Sequence, residues 1–419
     1  MSEGIPEGWE IKTIKDCVEQ FKNGYAFSSS GYVASGIPII SIVNISLEGK
    51  FKFDEAREKK WSIDDSKKLN GFEVYDGDLI IAMTDVTPSM DMIGRGAIVK
   101  RNIVSLLNQR VGLIKTKIDL DKTYLAYFLN GNRWRKTAKR SASLGAQANL
   151  GTADILSSSI LLPPLLEQKK IASILTSVDE VIANTQKQID KLQDLKKATM
   201  NELLTKGIGH TEFKDSLLGR IPKSWEVKIL SEITSKIGDG IHSTPKYSET
   251  GTFPFINGNN LVNGEILFGQ STKRVNKNEF EKHRTNLGKE TLLLSINGTI
   301  GNLAFYKGES VVLGKSVAYL TFTPNFLLPF AYYLLSSDRV KRQFEKELTG
   351  TTIDNLSLKS IRNTPVIVPT ISEQQKISEI ISSIDLLIQK IQNKLIQTQS
   401  LKKSLMQDLL TGKVRVSVN

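Results

Sequence analysis

The 419-residue chain has one cysteine, Cys17, and three histidines, His210, His242 and His283. A single sulfur excludes an intramolecular disulfide framework, and one thiol with three scattered imidazoles cannot build a thiolate zinc site. No His-Glu-x-x-His spacing occurs, so the histidines read as surface or ligand-facing groups rather than a metal centre. No stretch approaches the roughly 18 uninterrupted apolar residues of a membrane span, and "MSEGIPEGWEIK" lacks the apolar core of a signal peptide. A reducing cytoplasm is the expected setting.

Catalytic constellations are equally scarce. An amino-methyltransferase needs Asn, Asp or Ser ahead of Pro-Pro-aromatic to hold the target amino group, whereas "LLPPLL" places Leu162 before the prolines and Leu165 after them. Pro163 and Pro164 read instead as a helix start. "GESVVLGKS" from Gly308 to Ser316 has five residues between its glycines where a phosphate-binding Walker loop has four. Short Glu-x-Lys triplets such as Glu10 to Lys12 are expected by chance in a lysine-rich chain and carry no nuclease assignment.

What is present is positive charge and repetition. The net charge of +12 draws an anionic partner, and nucleic acid fits better than membrane because no basic amphipathic anchor is visible. Sliding the sequence by 206 positions lays Pro163 on Pro369, Glu167-Gln168 on Glu373-Gln374, Asp179 on Asp385 and the "LKK" at Leu195 on that at Leu401. Roughly 18 of about 43 positions from Pro163 to Thr205 are then identical. A second match, "IPEGWEIKTI" from Ile5 with "IPKSWEVKIL" from Ile221, sets Gly24 against Gly240, so the first unit is about ten residues longer between these landmarks. Weaker echoes keep the order: "GDLIIAM" with "KETLLLSI", and "RVGLIKTK" with "SVAYLTFT". Short apolar and β-branched runs between Gly, Asn and Pro predict sheet-rich units with some helices.

The helical repeats differ in kind. Ile171, Leu175, Val178, Ile182, Thr185, Ile189 and Leu192 step by three and four, as do Ile377, Ile381, Ile384, Ile388, Ile391 and Leu395. Two helices in one phase with polar outer faces predict mutual pairing as a coiled-coil seam. The order unit, helix, unit, helix makes that pair antiparallel and implies a nearly closed ring with a pseudo-twofold axis. A helix of about 40 residues is roughly 60 Å long, the size of a spacer. Twofold-related modules on a stiff rod suit duplex DNA, whose half-sites recur about 34 Å or a multiple apart. The fold class expected is α/β in the α+β sense, with two sheet-containing domains at 1–160 and 208–366. The helical spacers occupy 161–207 and 367–419.

These segments resemble the DNA specificity subunit of type I restriction-modification systems. The residues that carry the resemblance are "IPEGWEIK" and "IPKSWEVK", "DGIHSTPKYSETGTFPFING", "SINGTIG", and the paired "PPLLEQKKIASILTSVDEVI" and "PTISEQQKISEIISSIDLLI", each helix closing on "LLT". The likeness spans nearly the whole chain. The first unit departs from it, with "NGYAFSSSGY" for "DGIHSTPKY" and the longer "AMTDVTPSMDMIGRGAIV" for "LSINGTIGNLAFY". The resemblance implies two target recognition domains, each reading half of a bipartite double-stranded DNA sequence across a gap set by the helices. It further implies two docked methyltransferase subunits that carry S-adenosylmethionine and modify adenine, a motor-nuclease subunit that can join, and no catalysis or cofactor in this chain.

Base readout needs polar side chains on loops, with Lys or Arg on flanking phosphates. In the second unit these are expected to be His242, Ser243, Thr244, Lys246, Tyr247, Asn257, Asn259, Asn297, Thr299 and Lys315, although Asn297 before Gly298 equally suits a hairpin turn. In the first unit Thr84, Asp85, Thr87, Ser89 and Arg95 occupy the corresponding long loop. "NRWRKTAKR" concentrates Arg133, Arg135, Lys136, Lys139 and Arg140 in a helix, and "DRVKRQFEK" places Arg339, Lys341 and Arg342 similarly. Gln147 and Asn149, like Thr351 and Thr352, follow those helices. Two rivals remain at this level: a coiled-coil scaffold for protein partners, which would show no steep salt-dependent DNA affinity, and a self-sufficient DNA-modifying enzyme, which would methylate alone.

Overall fold

The computed structural model describes residues 5–66, 69–143, 147–349 and 354–417. It divides into two compact units, one formed by residues 1–186 with 393–419 and the other by 187–392. The boundary passes through both long helices, so each unit contains the start of one helix and the end of the other.

In unit 1, "EIKT" forms β1 (Glu10–Thr13) and "VEQFKN" forms β2 (Val18–Asn23). They are followed by β3 (Ile37–Ile40), β4 (Leu79–Ala82), β5 (Thr84–Asp85), β6 (Gly96–Ile98), β7 (Ser105–Leu107) and β8 (Val111–Thr116). Helices α1 (Lys122–Phe128) and α2 (Asn132–Ser141), then β9 (Ala148–Asn149) and β10 (Ser159–Leu162), lead to the long α3 (Leu165–Lys206). An antiparallel sheet runs β2-β8-β4-β6, β3 pairs in parallel with β7 in a second sheet, and β1 returns against β10. The central strand β4 is the unbroken apolar run "LIIA", buried along its whole length as a strand covered on both faces must be.

Unit 2 repeats this plan. Its principal strands are β11 (Glu226–Ile229), β12 (Thr234–Asp239), β13 (Phe253–Ile256), β14 (Thr291–Ser295), β15 (Leu303–Phe305), β16 (Val312–Leu313) and β17 (Val317–Phe322). Helices α4 (Leu328–Ser336) and α5 (Asp338–Lys346), strand β18 (Pro365–Val368) and the long α6 (Ile371–Leu410) follow. The four-stranded order is β12-β17-β14-β15, β13 is parallel to β16, and β11 returns against β18. Even the register recurs: Glu10 faces Leu162 in one unit and Glu226 faces Val368 in the other. The extra length of the first unit lies mainly in one place. Ile81 pairs with Gly96 across 15 positions, where Leu294 pairs with Leu303 across nine.

The Pro-x-x-x-Glu-Gln words start both long helices, and their buried polar groups are all engaged. Gln168 donates from Nε2 to the carbonyls of Pro163 and Asp119 and accepts from the Asp121 amide through Oε1. Gln374 does the same with Pro369, Asn325 and the Leu327 amide. Glu167 accepts from the Trp9 indole at 3.0 Å and Glu373 from the Trp225 indole at 2.8 Å, which explains why tryptophan recurs at the equivalent place in each unit. Gly207 and Gly412, at φ of 69° and 72°, end the helices in the left-handed conformation that glycine adopts without strain.

The helix halves pair antiparallel within each unit. Lys402 of α6 meets Asp179 of α3 at 2.9 Å in unit 1, and Lys196 of α3 meets Asp385 of α6 at 2.6 Å in unit 2. The same carboxylates accept from Tyr127 and Tyr333. The expected seam needs one correction. Ile171 and Leu175 are fully buried in the core of unit 1, and Ile377 and Ile381 in that of unit 2, because the first turns of each helix lie on a sheet-bearing module. Further along, Thr185, Ile189 and Ile388 are buried while Val178, Ile182, Leu192, Ile384, Ile391 and Leu395 are half-buried, the gradation of a narrow two-helix contact.

Candidate nucleic-acid interface

In unit 2 the backbone gathers five segments at one edge of the sheets. The Ile241 amide donates to Leu313, Gly314 to Ile256, Ile296 to Ser316, Leu356 to Ile296 and Gly298 to Asp354, all between 2.8 and 3.1 Å. A side chain at Gly240 would reach 2.2 Å from the Leu313 carbonyl oxygen, so this weave requires glycine there. His242, Ser243, Thr244, Asn259, Thr299 and Lys315 are exposed on this edge. Lys246 and Tyr247 are also exposed; the Lys246 amide donates to Glu279, and Tyr247 packs edge-on against Phe255.

Two expected readers are structural instead. The Asn257 side chain accepts from the Ser316 hydroxyl at 3.0 Å, and its amide is held by Asn260, so it builds the loop that exposes Asn259. Asn297 donates to the Lys315 carbonyl, and the Gly298 φ of 72° marks the turn that an Asn-Gly pair equally suits. Thr351 and Thr352 lie outside the described residues.

Unit 1 is woven alike. The Tyr25 amide donates to Leu107, Asn108 to Ile40, Met83 to Arg110 and Leu150 to Met83. Gly24 is required for the same reason as Gly240, since a Cβ there would meet the Asn108 carbonyl oxygen at 2.2 Å. Strand β5 pairs with β9, setting Thr84 opposite Asn149. Thr87, Ser89 and Asn149 are exposed here, and Gln147 is half-buried.

Thr84 and Asp85 are corrected: both are buried and cannot reach a base edge. Burial alone would raise the Asp85 carboxyl, but hydrogen bonds from the Thr87 and Met92 amides and the Thr87 hydroxyl outweigh it and hold the carboxyl below its ordinary value. Asp85 is therefore the anchor of the loop. Gln109, Arg110 and Val43 are on the edge although sequence reading passed them over. Extending the "RVGLIKTK" and "SVAYLTFT" match by one position lays Gln109 on Lys315 and would have found it.

The basic helix α2 divides by face. Arg133, Lys136 and Arg140 are exposed at helical spacing, whereas Arg135 is buried and its Nη2 donates to the Met90 and Asp91 carbonyls at 3.1 and 2.8 Å. That burial and those inward bonds withdraw the phosphate role expected for Arg135; burial, with Arg95 nearby, also pushes its guanidinium down to about 10, still charged at neutral pH. Lys139 is half-buried and paired with Asp91 at 2.8 Å. Arg95 is half-buried, donates to the Asp91 carbonyl, and is likewise depressed by burial. In α5, Lys341 and Arg342 are exposed and Arg339 is half-buried.

Each loop edge is carried by a module locked to its helix. Arg415 donates through Nε and Nη2 to both oxygens of Glu167 at 2.8 Å, and in unit 2 His210 stands at 2.8 Å from Glu373. Burial would raise the Glu167 carboxyl, yet hydrogen bonds from Arg415 and Trp9 outweigh it and hold it below 4.5. A carboxyl depressed by folding stabilises fully above its unfolded value and loses that contribution as pH falls through the folded one. The melting temperature of the wild type is thus expected to drop more steeply than that of Glu167→Gln as pH falls below 4.5. Parallel melting profiles for the two proteins would refute the coupling.

Among the described residues no cluster of three or more His, Cys, Asp or Glu could hold a metal, and no helix is long and apolar enough to cross a membrane. The chain matches the family described as the type I restriction modification DNA specificity domain twice, over residues 6–194 and 222–398. It is 29% identical to the putative type I restriction enzyme MjaX specificity subunit of Methanocaldococcus jannaschii, over 98% of this chain and 95% of that one. The MjaVIII specificity subunit of the same organism is 27% identical over 98% and 94%. Among solved structures, the type I restriction-modification S subunit from M. genitalium superposes with a TM-score of 0.55 at 16% identity, covering 98% of both chains, a likeness of fold. The doubled module, its two equivalent loop edges and these relatives agree: the chain belongs to the family of type I restriction-modification DNA specificity subunits, which are not catalytic.

Proposed function

We propose that this chain recognises a bipartite sequence in double-stranded DNA, one half-site per unit, and docks two methyltransferase subunits. The observation that carries the reading is the recurrence of one five-segment loop weave in both units, with different exposed side chains on each. One edge presents Gln109, Thr87, Ser89, Val43 and Asn149 and the other Lys315, Thr299, His242, Ser243 and Asn259. Equal frames with unequal tips suit two unequal half-sites. The long helices set the untouched gap. Their exposed Val181, Leu195, Leu386, Leu387, Ile396 and Leu401 supply apolar surface for the methyltransferases, which hold S-adenosylmethionine and modify adenine; a motor-nuclease subunit can join that assembly.

Co-expression with its cognate methyltransferase subunit, expected to be encoded beside it, in a host lacking adenine methylation, tests this. Mapping methylated adenines is expected to return a two-part motif with one modified adenine per strand. A purified complex that leaves the genome unmodified would overturn the proposal.

Phosphate binding has its own signature. Replacing Arg133, Lys136 and Arg140 by Ala is expected to weaken binding to all duplexes alike. It should also flatten the dependence of log affinity on log salt by about 0.9 for each phosphate no longer neutralised. An unchanged slope would remove α2 from the interface.

A further inference from the structure

The segment from Met83 to Arg95, which carries most of the extra length of unit 1, is braced from several sides. Asp85 binds it from within through Thr87 and Met92. Helix α2 reaches over with Arg135 to the Met90 and Asp91 carbonyls and with Lys139 to the Ser89 carbonyl at 2.7 Å and the Asp91 carboxylate. With the Asp85 carboxylate and those carbonyls engaged, the loop offers solvent one apolar side chain beside the exposed Thr87 and Ser89: Val86 is 69% exposed, directly after the β5–β9 ladder that joins the two reading segments. A lone exposed valine is ordinary; one held out from a polar edge by a preordered loop has a use available.

We propose that Val86 is a specificity-determining residue that reads the 5-methyl group of a thymine in the half-site of unit 1. This rests on the reading of that edge as a DNA surface and names the chemistry of one contact within it. The thymine methyl is the apolar feature among the donors and acceptors of the major groove. Valine matches it, since its stiff single torsion leaves little freedom to lose on contact. It is too short to act as the wedge that minor-groove proteins drive between base steps, where Phe, Leu, Ile, Met or Pro is used.

The test uses the full chain in complex with its methyltransferase partner and duplexes carrying the mapped motif. Each thymine of the unit 1 half-site is replaced in turn by uracil, which lacks only the methyl. At one position the wild type is expected to bind roughly three- to fivefold more weakly, the effect of one buried methyl. Val86→Ala should show no penalty there, while keeping its melting temperature and its discrimination at the unit 2 half-site. A half-site without thymine, uniform tolerance of uracil, or a penalty that survives in Val86→Ala would each overturn the assignment. Failure of the underlying reading looks different: the wild type would then prefer neither half-site over random duplex.

Discussion

Deleting seven residues from each long helix, 183–189 from α3 and 389–395 from α6, is expected to leave both half-sites unchanged and shorten the gap between them by about three base pairs. Seven residues of helix are about 10.5 Å, and base pairs stack at roughly 3.4 Å. The paired deletion is the informative one because the clasps are evenly placed. Asp179 and Lys196 lie 17 positions apart in α3, and Lys402 and Asp385 lie 17 apart in α6. Cutting both helices keeps both clasps; cutting one forces a choice between them. The single deletion is therefore expected to abolish methylation rather than shift it. The readout is the methylated motif from the co-expressing host, and an unaltered gap in the paired variant would show that the helices do not measure it.

Truncating Trp225 to alanine is expected to unfold unit 2 well before unit 1. Its ring is wholly buried in the unit 2 core, and its indole N–H is bonded to Glu373, which His210 approaches from the other side. Large aromatic truncations in a core cost about 3–5 kcal/mol, and the carboxylate left behind adds an unpaired acceptor. For a unit of this size the melting temperature should fall on the order of 10 °C. Calorimetry should resolve a unit 2 transition that precedes that of unit 1, and Trp9→Ala should reverse which unit melts first. A single unshifted transition for Trp225→Ala would refute the claim that this tryptophan joins module to helix.

The helices were legible because their phase and their start signals are local: Pro163, Glu167 and Gln168 can be recognised without knowing what they touch. The sheets were legible as order and class, through apolar runs such as "LIIA" and "TLLLS". The loops were not, since exposure there is decided by partners far away in sequence. Asp85 looks like a reader in "AMTDVTPS" until Thr87 and Met92 are seen to saturate it. Arg135 looks like its neighbours Arg133 and Lys136 until the helix face turns it inward onto Met90 and Asp91. The repeat was the stronger guide: a position judged by its counterpart, as Gln109 by Lys315, is placed better than one judged by residue type.

Unit 1 is assembled from two stretches of chain, and this affects how the protein is made. Leu405, Met406, Leu409 and Leu410 pack on the same core as Trp9, Ile171 and Leu175, and Arg415 closes on Glu167 and the Glu7 carbonyl. At a ribosomal rate of about 5–20 residues per second, the interval between Gln186 and Asn393 lasts roughly 10–40 s. During that interval the first module is without its last helix turns, while unit 2, drawn from one continuous stretch, can finish folding first. The order of synthesis is thus the reverse of the order of completion, and the nascent chain carries an open apolar face that invites chaperones until its final residues emerge.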